Sequence, residues 1–200
     1  MKKVLRTFKE NKQFTLFSIL ALVVVGVAVF APQIAPYDPL DAVMLESLQA
    51  PSSAHPFGTD KLGRDLLSRV IFGTRTSLIM TLCLVAVIFV IGTFLGVIAG
   101  YFGGIVDGVI MRIADMMISF PGLVLAIAIA GMLGPNLVNA VISIAAVSWT
   151  KYARLARSMV LKVKKSLYIE AAIVNGTKTW KILLVHILPN MVTQMVVTAA

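Results

Sequence analysis

The residues able to do chemistry are few, and their spacing does not assemble an enzyme site. The chain has two histidines, His55 and His186, and a single cysteine, Cys83. The topology derived below places the two histidines on opposite sides of a membrane, so they cannot share a metal within one chain. One cysteine leaves no intrachain disulfide and no cysteine-based zinc site. We therefore predict no catalytic residue and no metal site.

A phosphate-binding loop is also excluded. The nearest string, GTKT at residues 176–179, lacks the glycines that precede the lysine in G-x-x-x-x-G-K-[ST]. We predict that this chain binds no cofactor. If ATP drives the protein, another subunit supplies the ATPase.

Two pairs of opposite charges are spaced for contact on one helix face. Asp60 and Arg64 stand four residues apart, and Arg112 and Asp115 stand three apart. We expect each pair to support local structure rather than to bind a substrate.

The composition indicates which solvent surrounds these residues. Of 200 residues, 58% are apolar and 14% are charged, with a mean hydropathy of +0.92. Soluble domains carry about 25% charged residues, so an ordinary soluble domain is excluded. Disorder is excluded by the high hydropathy, and a collagen helix by only 14 glycines without a three-residue period. The solvent predicted for most of the chain is lipid.

Long apolar runs predict an all-α polytopic membrane protein. We predict four spans at residues 14–31, 78–99, 116–133 and 136–152, the last of which ends on a snorkelling Lys151 and Tyr152. Pro121 predicts a kink inside the third span. Residues 190–200 read like the start of a fifth span, so we expect the chain to be an incomplete form of a longer protein.

The positions of the basic residues predict the orientation. Five Lys or Arg residues lie in segment 1–13 and eight in segment 151–189. The positive-inside rule makes 1–13 and the loop at 153–189 cytoplasmic. The turn at 100–115 holds only Arg112 as a basic residue and is cytoplasmic because the four spans alternate in direction. Residues 32–77 are then extracytoplasmic and end in an interfacial amphipathic helix that begins near Leu66. These positions explain the net charge of +9 without nucleic acid.

Glycines recur every four residues near the end of the second span. Gly92, Gly96 and Gly100 form two consecutive G-x-x-x-G units, which allow two helix backbones to approach closely in lipid. Gly104 and Gly108 continue the spacing, but each step turns about 40° around the helix. We therefore predict that only the first three form a packing seam.

The predicted cytoplasmic loop carries a second pattern. Within it, Glu170-Ala171-Ala172 is followed by Gly176 and then by Leu188-Pro189. We predict two short helices that meet at a bend at Gly176, with Pro189 ending or kinking the second. Ala171 and Ala172, beside Ile169 and Ile173, suit a partner's groove, whereas a basic helix resting on anionic lipid explains the composition equally well.

These residues carry a family resemblance. EAAIVNG, followed by LP, resembles the E-A-A-x3-G-x9-I-x-L-P motif of permease subunits of bacterial ABC importers, with His186 in the place of the motif's isoleucine. HPFGTDKLGRDLLSRVIFGTRTSL and DGVIMRIADMMISFPGLVLAIAIAG resemble the second permease of dipeptide, oligopeptide and nickel importers. With KYARLARSMVL and HILPN, the resemblance covers essentially the whole chain.

The resemblance implies an ABC importer type I permease fold, here with four full spans and the start of a fifth, in the bacterial inner membrane with a cytoplasmic N-terminus. It implies half of a translocation pathway for di- or oligopeptides or nickel. The implied partners are a second permease subunit, two ATPase subunits that bind ATP and magnesium, an extracytoplasmic substrate-binding protein and the lipid bilayer. It assigns ATPase coupling to Glu170, Ala171, Ala172, Gly176, Leu188 and Pro189.

Three questions stay open at this point. The extracytoplasmic family motif has no assigned role; its residues are Gly58, Thr59, Asp60, Gly63, Arg64 and Asp65. An ion-coupled secondary transporter is a rival that the charge-free spans disfavour. The second rival is a membrane scaffold that transports nothing and whose basic loop only binds lipid or a partner.

Overall fold

The structure is a computed structural model that describes residues 11–199. Most of the predicted cytoplasmic N-terminus, residues 1–10, lies outside the described residues. Residues 11–199 contain helices and turns and no strand, and Thr59 and Asp65 form one isolated β-bridge. The contacts divide the chain into two compact units, with the boundary between Thr81 and Leu82.

The first unit begins with a helix suited to lipid. Helix α1, Lys12–Val29, is about 27 Å long, and Ala28 is the one buried side chain within it. Its apolar surface is therefore available to acyl chains. The short helix α2, Ala31–Ile34, and a 3₁₀ turn, Met44–Glu46, follow.

Helix α3, Leu66–Phe102, is the longest element, with 37 residues and a length of about 55 Å. It includes both the predicted interfacial helix and the predicted second span, without a break between them. The helix ends where Gly103 and Gly104 adopt φ of 66° and 55°, a region that favours glycine.

The predicted third span is divided by a sharp bend. Helices α4, Gly104–Ser119, and α5, Gly122–Leu133, meet at 92°. The kink predicted at Pro121 is confirmed, because proline lacks the N–H donor and the preceding Phe120 is extended, with ψ of 147°. The bend divides residues 116–133 between α4 and α5, and the bounds of the third span stay a prediction.

Two helices among the described residues, α1 and α3, are long and apolar enough to cross a membrane, or three if the bent pair α4 and α5 counts as one span. Helix α6, Leu137–Lys164, extends the predicted fourth span by about three turns. Its N-terminus is capped by the side chain of Asn136, which accepts from the N–H of Val138 at 2.9 Å. The count of four spans stays a prediction.

The C-terminal elements are helix α7, Leu167–Val174, helix α8, Thr179–Lys181, a π-helical turn, Ile182–Ile187, and helix α9, Leu188–Ala199. The last three are continuous, so Pro189 does not end a helix, and the alternative expectation of a kink there stays a prediction. Pro189 lies in the first turn after the π turn. In the π turn each backbone carbonyl pairs five residues on instead of four, and this change of pairing comes just before the proline, which has no N–H to donate.

The core of the second unit lies where α3, α6 and the C-terminal elements meet. Its buried side chains come from α3, α6, α7, the π turn and α9, and they are Val97, Ala156, Met159, Val160, Ile169, Ile182, Ile187, Met191 and Met195. A smaller cluster joins α4 to α6 through Ala114, Trp149 and Ala153. Helix α6 contributes to both clusters and is the central packing element of this unit.

Candidate functional site

Helix α7 carries the Glu-Ala-Ala sequence and has a complete C-terminal cap. The N–H of Thr177 donates to the carbonyl of Ala172 at 3.0 Å, and the N–H of Gly176 donates to that of Ile173 at 3.0 Å. These two hydrogen bonds form the Schellman motif, in which the first residue after the C-cap has a left-handed backbone conformation. Gly176 supplies it with a φ of 72°, so it fixes the direction in which the chain leaves α7.

The space around Gly176 is open. Among the described residues, and apart from the two chain neighbours of Gly176, a Cβ built at this position would meet no atom within 4 Å. The constraint at Gly176 is therefore its backbone conformation and not steric crowding. The predicted bend at this residue is present, because α7 ends here and α8 begins three residues later.

One residue of α7 anchors the helix to the core. Ile169 is fully buried and packs with Ile182 and Ile187 of the π turn. The expectation that Ile169 lies beside the alanines on an outward surface is therefore wrong.

The remaining surface of α7 is apolar and exposed. Leu167 is 83% and Val174 is 86% exposed. Glu170 and Ala171 are exposed, and Ala172 is half-buried. Sequence reasoning missed Leu167 and Val174, although a helix of eight residues with one charge already indicates an apolar surface. Helix α7 thus presents a short, rigid apolar projection held by a single buried isoleucine.

Leu188 and Pro189, the other predicted coupling residues, lie at the start of α9. Leu188 is half-buried and packs against the core around Ile169 and Ile187, whereas Pro189 is exposed. Asn190 donates from its side chain to the hydroxyl of Tyr168 on α7 at 3.1 Å. This hydrogen bond and the core contacts hold α7 and α9 together.

The three glycines of the predicted seam lie directly against α6. A Cβ at Gly92 would lie 2.5 Å from the Cβ of Tyr152, one at Gly96 would lie 2.3 Å from the carbonyl oxygen of Ala153, and one at Gly100 would lie 2.8 Å from the Cβ of Val160. Real side chains essentially never approach so closely. Gly104 and Gly108 have nothing within 4 Å, so the seam ends at Gly100.

Ion pairs fasten the predicted cytoplasmic turn to α6. Arg157 donates to both carboxylate oxygens of Asp107, at 2.5 and 2.6 Å, in the bidentate geometry that favours arginine. Arg154 pairs with Asp115. The expected pair of Arg112 with Asp115 is therefore wrong, because the partner of Asp115 comes from another helix, 39 residues away, and short-range spacing does not reveal it.

The extracytoplasmic motif is organised by two aspartates. Asp60 accepts the backbone N–H groups of Leu62 and Arg64 at 2.8 and 3.0 Å, and the Arg64 side chain at 2.9 Å. The predicted pair of Asp60 and Arg64 is confirmed, and Arg69 adds a second guanidinium. The hydrogen bond from Arg64 holds the pKa of Asp60 far below its ordinary value, although desolvation opposes this shift.

Asp65 is the buried centre of a second network. One of its oxygens accepts the backbone N–H and the hydroxyl of Ser68, both at 2.7 Å, and the other lies 3.0 Å from Nδ1 of the buried His55. Burial raises the pKa of Asp65, but the hydrogen bonds from Ser68 and His55 outweigh it and lower that pKa overall. Because Ser68 lies three residues on, Asp65 also serves as an N-cap for α3.

The depressed pKa of Asp65 predicts a pH dependence for this loop. The ordinary pKa of this carboxylate, which it has in the unfolded chain, is 3.8. Because its pKa in the folded protein is lower, the carboxylate stabilises the fold at pH values above 3.8, and this stabilisation is lost as the pH falls through the pKa of the folded state. We expect protection of residues 43–68 from hydrogen exchange to be constant from about pH 7 to 5 and to fall below about pH 4. Asp65→Asn should lower the protection at pH 7 and reduce its pH dependence. Equal protection of the wild-type loop at pH 7 and at pH 3 would contradict this.

Comparisons with known proteins cover both ends of the chain. The family model for the inner membrane component of binding-protein-dependent transport systems matches residues 92–200. The model for the N-terminal transmembrane domain of oligopeptide transport permease C matches residues 1–51. The first match contains α7 and the glycine seam.

Similar proteins are transport permeases. The probable D,D-dipeptide transport system permease protein of Escherichia coli (strain K12) is 40% identical over 92% of this chain and 61% of its own length. The glutathione transport system permease protein of Pectobacterium atrosepticum is 42% identical over 96% of this chain and 64% of its own length. The di/tripeptide transport system permease protein of Pseudomonas aeruginosa is 38% identical over 100% of this chain and 68% of its own length. This chain thus spans about two thirds of the length of these relatives.

Proposed function

The chain belongs to the family of binding-protein-dependent transport system inner membrane components, and we propose from this premise that it is a permease subunit of an ATP-driven importer of short peptides. It contributes part of the translocation pathway and performs no chemistry itself. The relatives described above are named for dipeptides, di/tripeptides and glutathione. These names favour short peptides over nickel, the other substrate predicted from the sequence.

The observation that carries the proposal is the geometry of α7. A helix of eight residues projects Leu167 and Val174 outward while Ile169 is locked in the core. Exposed apolar side chains on a rigid, capped helix are typical of a surface that another protein covers. We propose that this surface docks on an ATPase subunit and that Ile169 passes the displacement to the core.

The core connects this docking surface to the membrane helices. Ile169 packs in the same cluster as Val97 of α3 and Val160 of α6, and α3 and α6 meet along the glycine seam. Close-packed elements move as rigid bodies rather than deforming continuously. A shift of α7 is therefore expected to move α3 and α6 together, which is what alternating access requires.

The proposed assembly follows the type I importer arrangement, with four spans and the start of a fifth in this chain and with the N-terminus and the α7 loop in the cytoplasm. It includes a second permease subunit, two ATPase subunits that bind ATP and magnesium, and an extracytoplasmic substrate-binding protein. The charge distribution supports this orientation, since the loop of residues 151–189 holds eight basic residues.

Energy coupling separates this proposal from its two rivals. In cells that contain the whole system, we expect peptide uptake to stop when ATP is depleted and to persist when an ionophore collapses the proton and sodium gradients. An ion-coupled transporter would give the opposite pattern. A scaffold would give no uptake that depends on this chain, so a deletion strain complemented with an empty vector is the control.

A further inference from the structure

The extracytoplasmic motif, residues 58–65, packs against one short segment of the same loop, residues 43–49. The N–H of Leu48 donates to the carbonyl of Asp60 at 3.0 Å, and the hydroxyl of Ser47 donates to that of Lys61 at 2.9 Å. Thr59 bonds to this segment three times. It donates from its N–H to the carbonyl of Gln49 at 3.1 Å, accepts the N–H of Gln49 on Oγ1 at 2.9 Å, and donates from Oγ1 to the carbonyl of Glu46. We call residues 58–65 the cradle and residues 43–49 the presented turn.

Two glycines of the cradle bracket the presented turn. Gly58 has a φ of 74°, and a Cβ there would lie 2.4 Å from the carbonyl oxygen of Gln49. Gly63 has a φ of 75°, and a Cβ there would lie 1.8 Å from the carbonyl oxygen of Val43. The backbone of the cradle therefore contacts the presented turn at both ends, where only glycine fits. This explains why the motif has glycines at these positions.

The side chains that the cradle holds outward are apolar. Met44 is 67%, Leu45 is 96% and Leu48 is 68% exposed. Leu48 also has a φ of 55°, a conformation that is strained for a non-glycine residue and persists only where the surroundings impose it. A rigid scaffold thus keeps large apolar side chains in contact with solvent, at a cost in stability, which is typical of a recognition surface.

The charge around the presented turn indicates what covers it. Residues 38–65, which include the cradle, hold five acidic residues against two basic ones, Lys61 and Arg64, and Arg64 pairs with Asp60. Asp38, Asp41 and Glu46 flank the exposed side chains in the sequence, so the border of the turn is acidic on balance. A segment that inserts into a membrane surface usually carries basic residues to meet anionic lipid. An apolar turn with an acidic border instead complements an apolar pocket with a basic rim on another protein.

We infer that the presented turn is the element through which this chain docks a soluble extracytoplasmic protein, with Met44, Leu45 and Leu48 entering an apolar pocket that basic residues border. This inference rests on the proposed function, under which that partner is the substrate-binding subunit. The cradle acts on docking only through the turn, so residues such as Thr59 position the contact without making it.

The test measures binding of the purified substrate-binding subunit to the assembled transporter in nanodiscs. The double variant Met44→Ser/Leu45→Ser removes apolar contacts but alters no buried residue. We expect its dissociation constant to rise at least about 10-fold, the size expected when a central apolar anchor is lost. Thr59→Val, which removes the hydroxyl bonds to Glu46 and Gln49, should also weaken binding although the turn keeps its side chains.

Two controls make the outcome decisive. Val70→Ser changes a similarly exposed apolar residue of the same unit, 56% exposed, and should leave binding within about twofold of the wild type. If the wild type binds and the double variant binds equally well, the inference is overturned while the proposed function stands. The same holds if the double variant alters only the dependence on anionic lipid. If the wild type neither binds the subunit nor imports peptide, the proposed function fails as well.

Discussion

Replacing Gly176 by valine is expected to reduce ATP-driven peptide uptake by about 5- to 30-fold. Gly176 closes the Schellman cap of α7 with a φ of 72°, and a left-handed conformation costs an L-residue about 1–2 kcal/mol, which corresponds to that range of populations. A β-branched side chain is among the least tolerant of it. The cap would open, and the apolar surface of α7 would lose its fixed direction.

The matched control at Gly176 is asparagine. Asparagine adopts the left-handed region more readily than other non-glycine residues, and in the part of the chain that the structure describes no neighbouring atom crowds a Cβ at this position. Gly176→Asn should therefore keep most of the uptake. Co-purification of the ATPase subunits and uptake should be measured for both variants. Wild-type levels of both in Gly176→Val would show that the cap of α7 does not serve coupling.

Gly96→Val is expected to destabilise the packing of α3 on α6 strongly. The added Cβ would lie 2.3 Å from the carbonyl oxygen of Ala153 and 2.7 Å from the Cβ of Ala156, and neither of these atoms belongs to a flexible side chain. Overpacking a tight contact usually costs about 1–3 kcal/mol, and a backbone contact leaves no rotamer to relax. We expect the thermal midpoint of the purified chain to fall by several degrees and its yield from membranes to drop.

Gly108→Val provides the comparison for Gly96→Val. Gly108 is also a helical glycine, in α4, but nothing lies within 4 Å of a Cβ built there. The intrinsic helix propensities change equally in the two variants, so any difference between their thermal midpoints is due to the contacts of Gly96 with α6. Equal thermal midpoints would show that α3 and α6 are not in close contact in the membrane.

Local sequence patterns revealed the features that depend on local geometry. The step of four residues placed Gly92, Gly96 and Gly100 on one face of a helix, and Pro121 required a kink. Asp60 and Arg64 pair because one turn of backbone joins them. In each case the physical cause lies within a few residues of chain, where a sequence can be interpreted directly.

Contacts between distant segments were not predictable in this way. Asp115 pairs with Arg154 rather than with Arg112, because the packing of α4 on α6 brings Arg154 to it. The inward position of Ile169 depends on the π turn that packs over it. The cradle was likewise not predictable, since the glycines at 58 and 63 indicate tight turns but not the segment against which those turns pack.

The π turn before Pro189 shows a third kind of difference. A proline in a helical run predicts an end or a kink when each carbonyl is assumed to pair four residues on. Here the run continues from residue 179 to residue 199, because the wider register of residues 182–187 changes that pairing. Sequence alone does not specify such a change of register.

The most direct test of the account is ATP hydrolysis coupled to transport. Proteoliposomes should contain this chain with the second permease and the two ATPase subunits, and the substrate-binding protein with a labelled dipeptide should be supplied on the extracytoplasmic side. We predict that the loaded binding protein stimulates ATP hydrolysis and that labelled peptide accumulates only with ATP. Omitting this chain should abolish both. Peptide accumulation without ATP, or ATP hydrolysis that is unaffected by omitting this chain, would contradict the account.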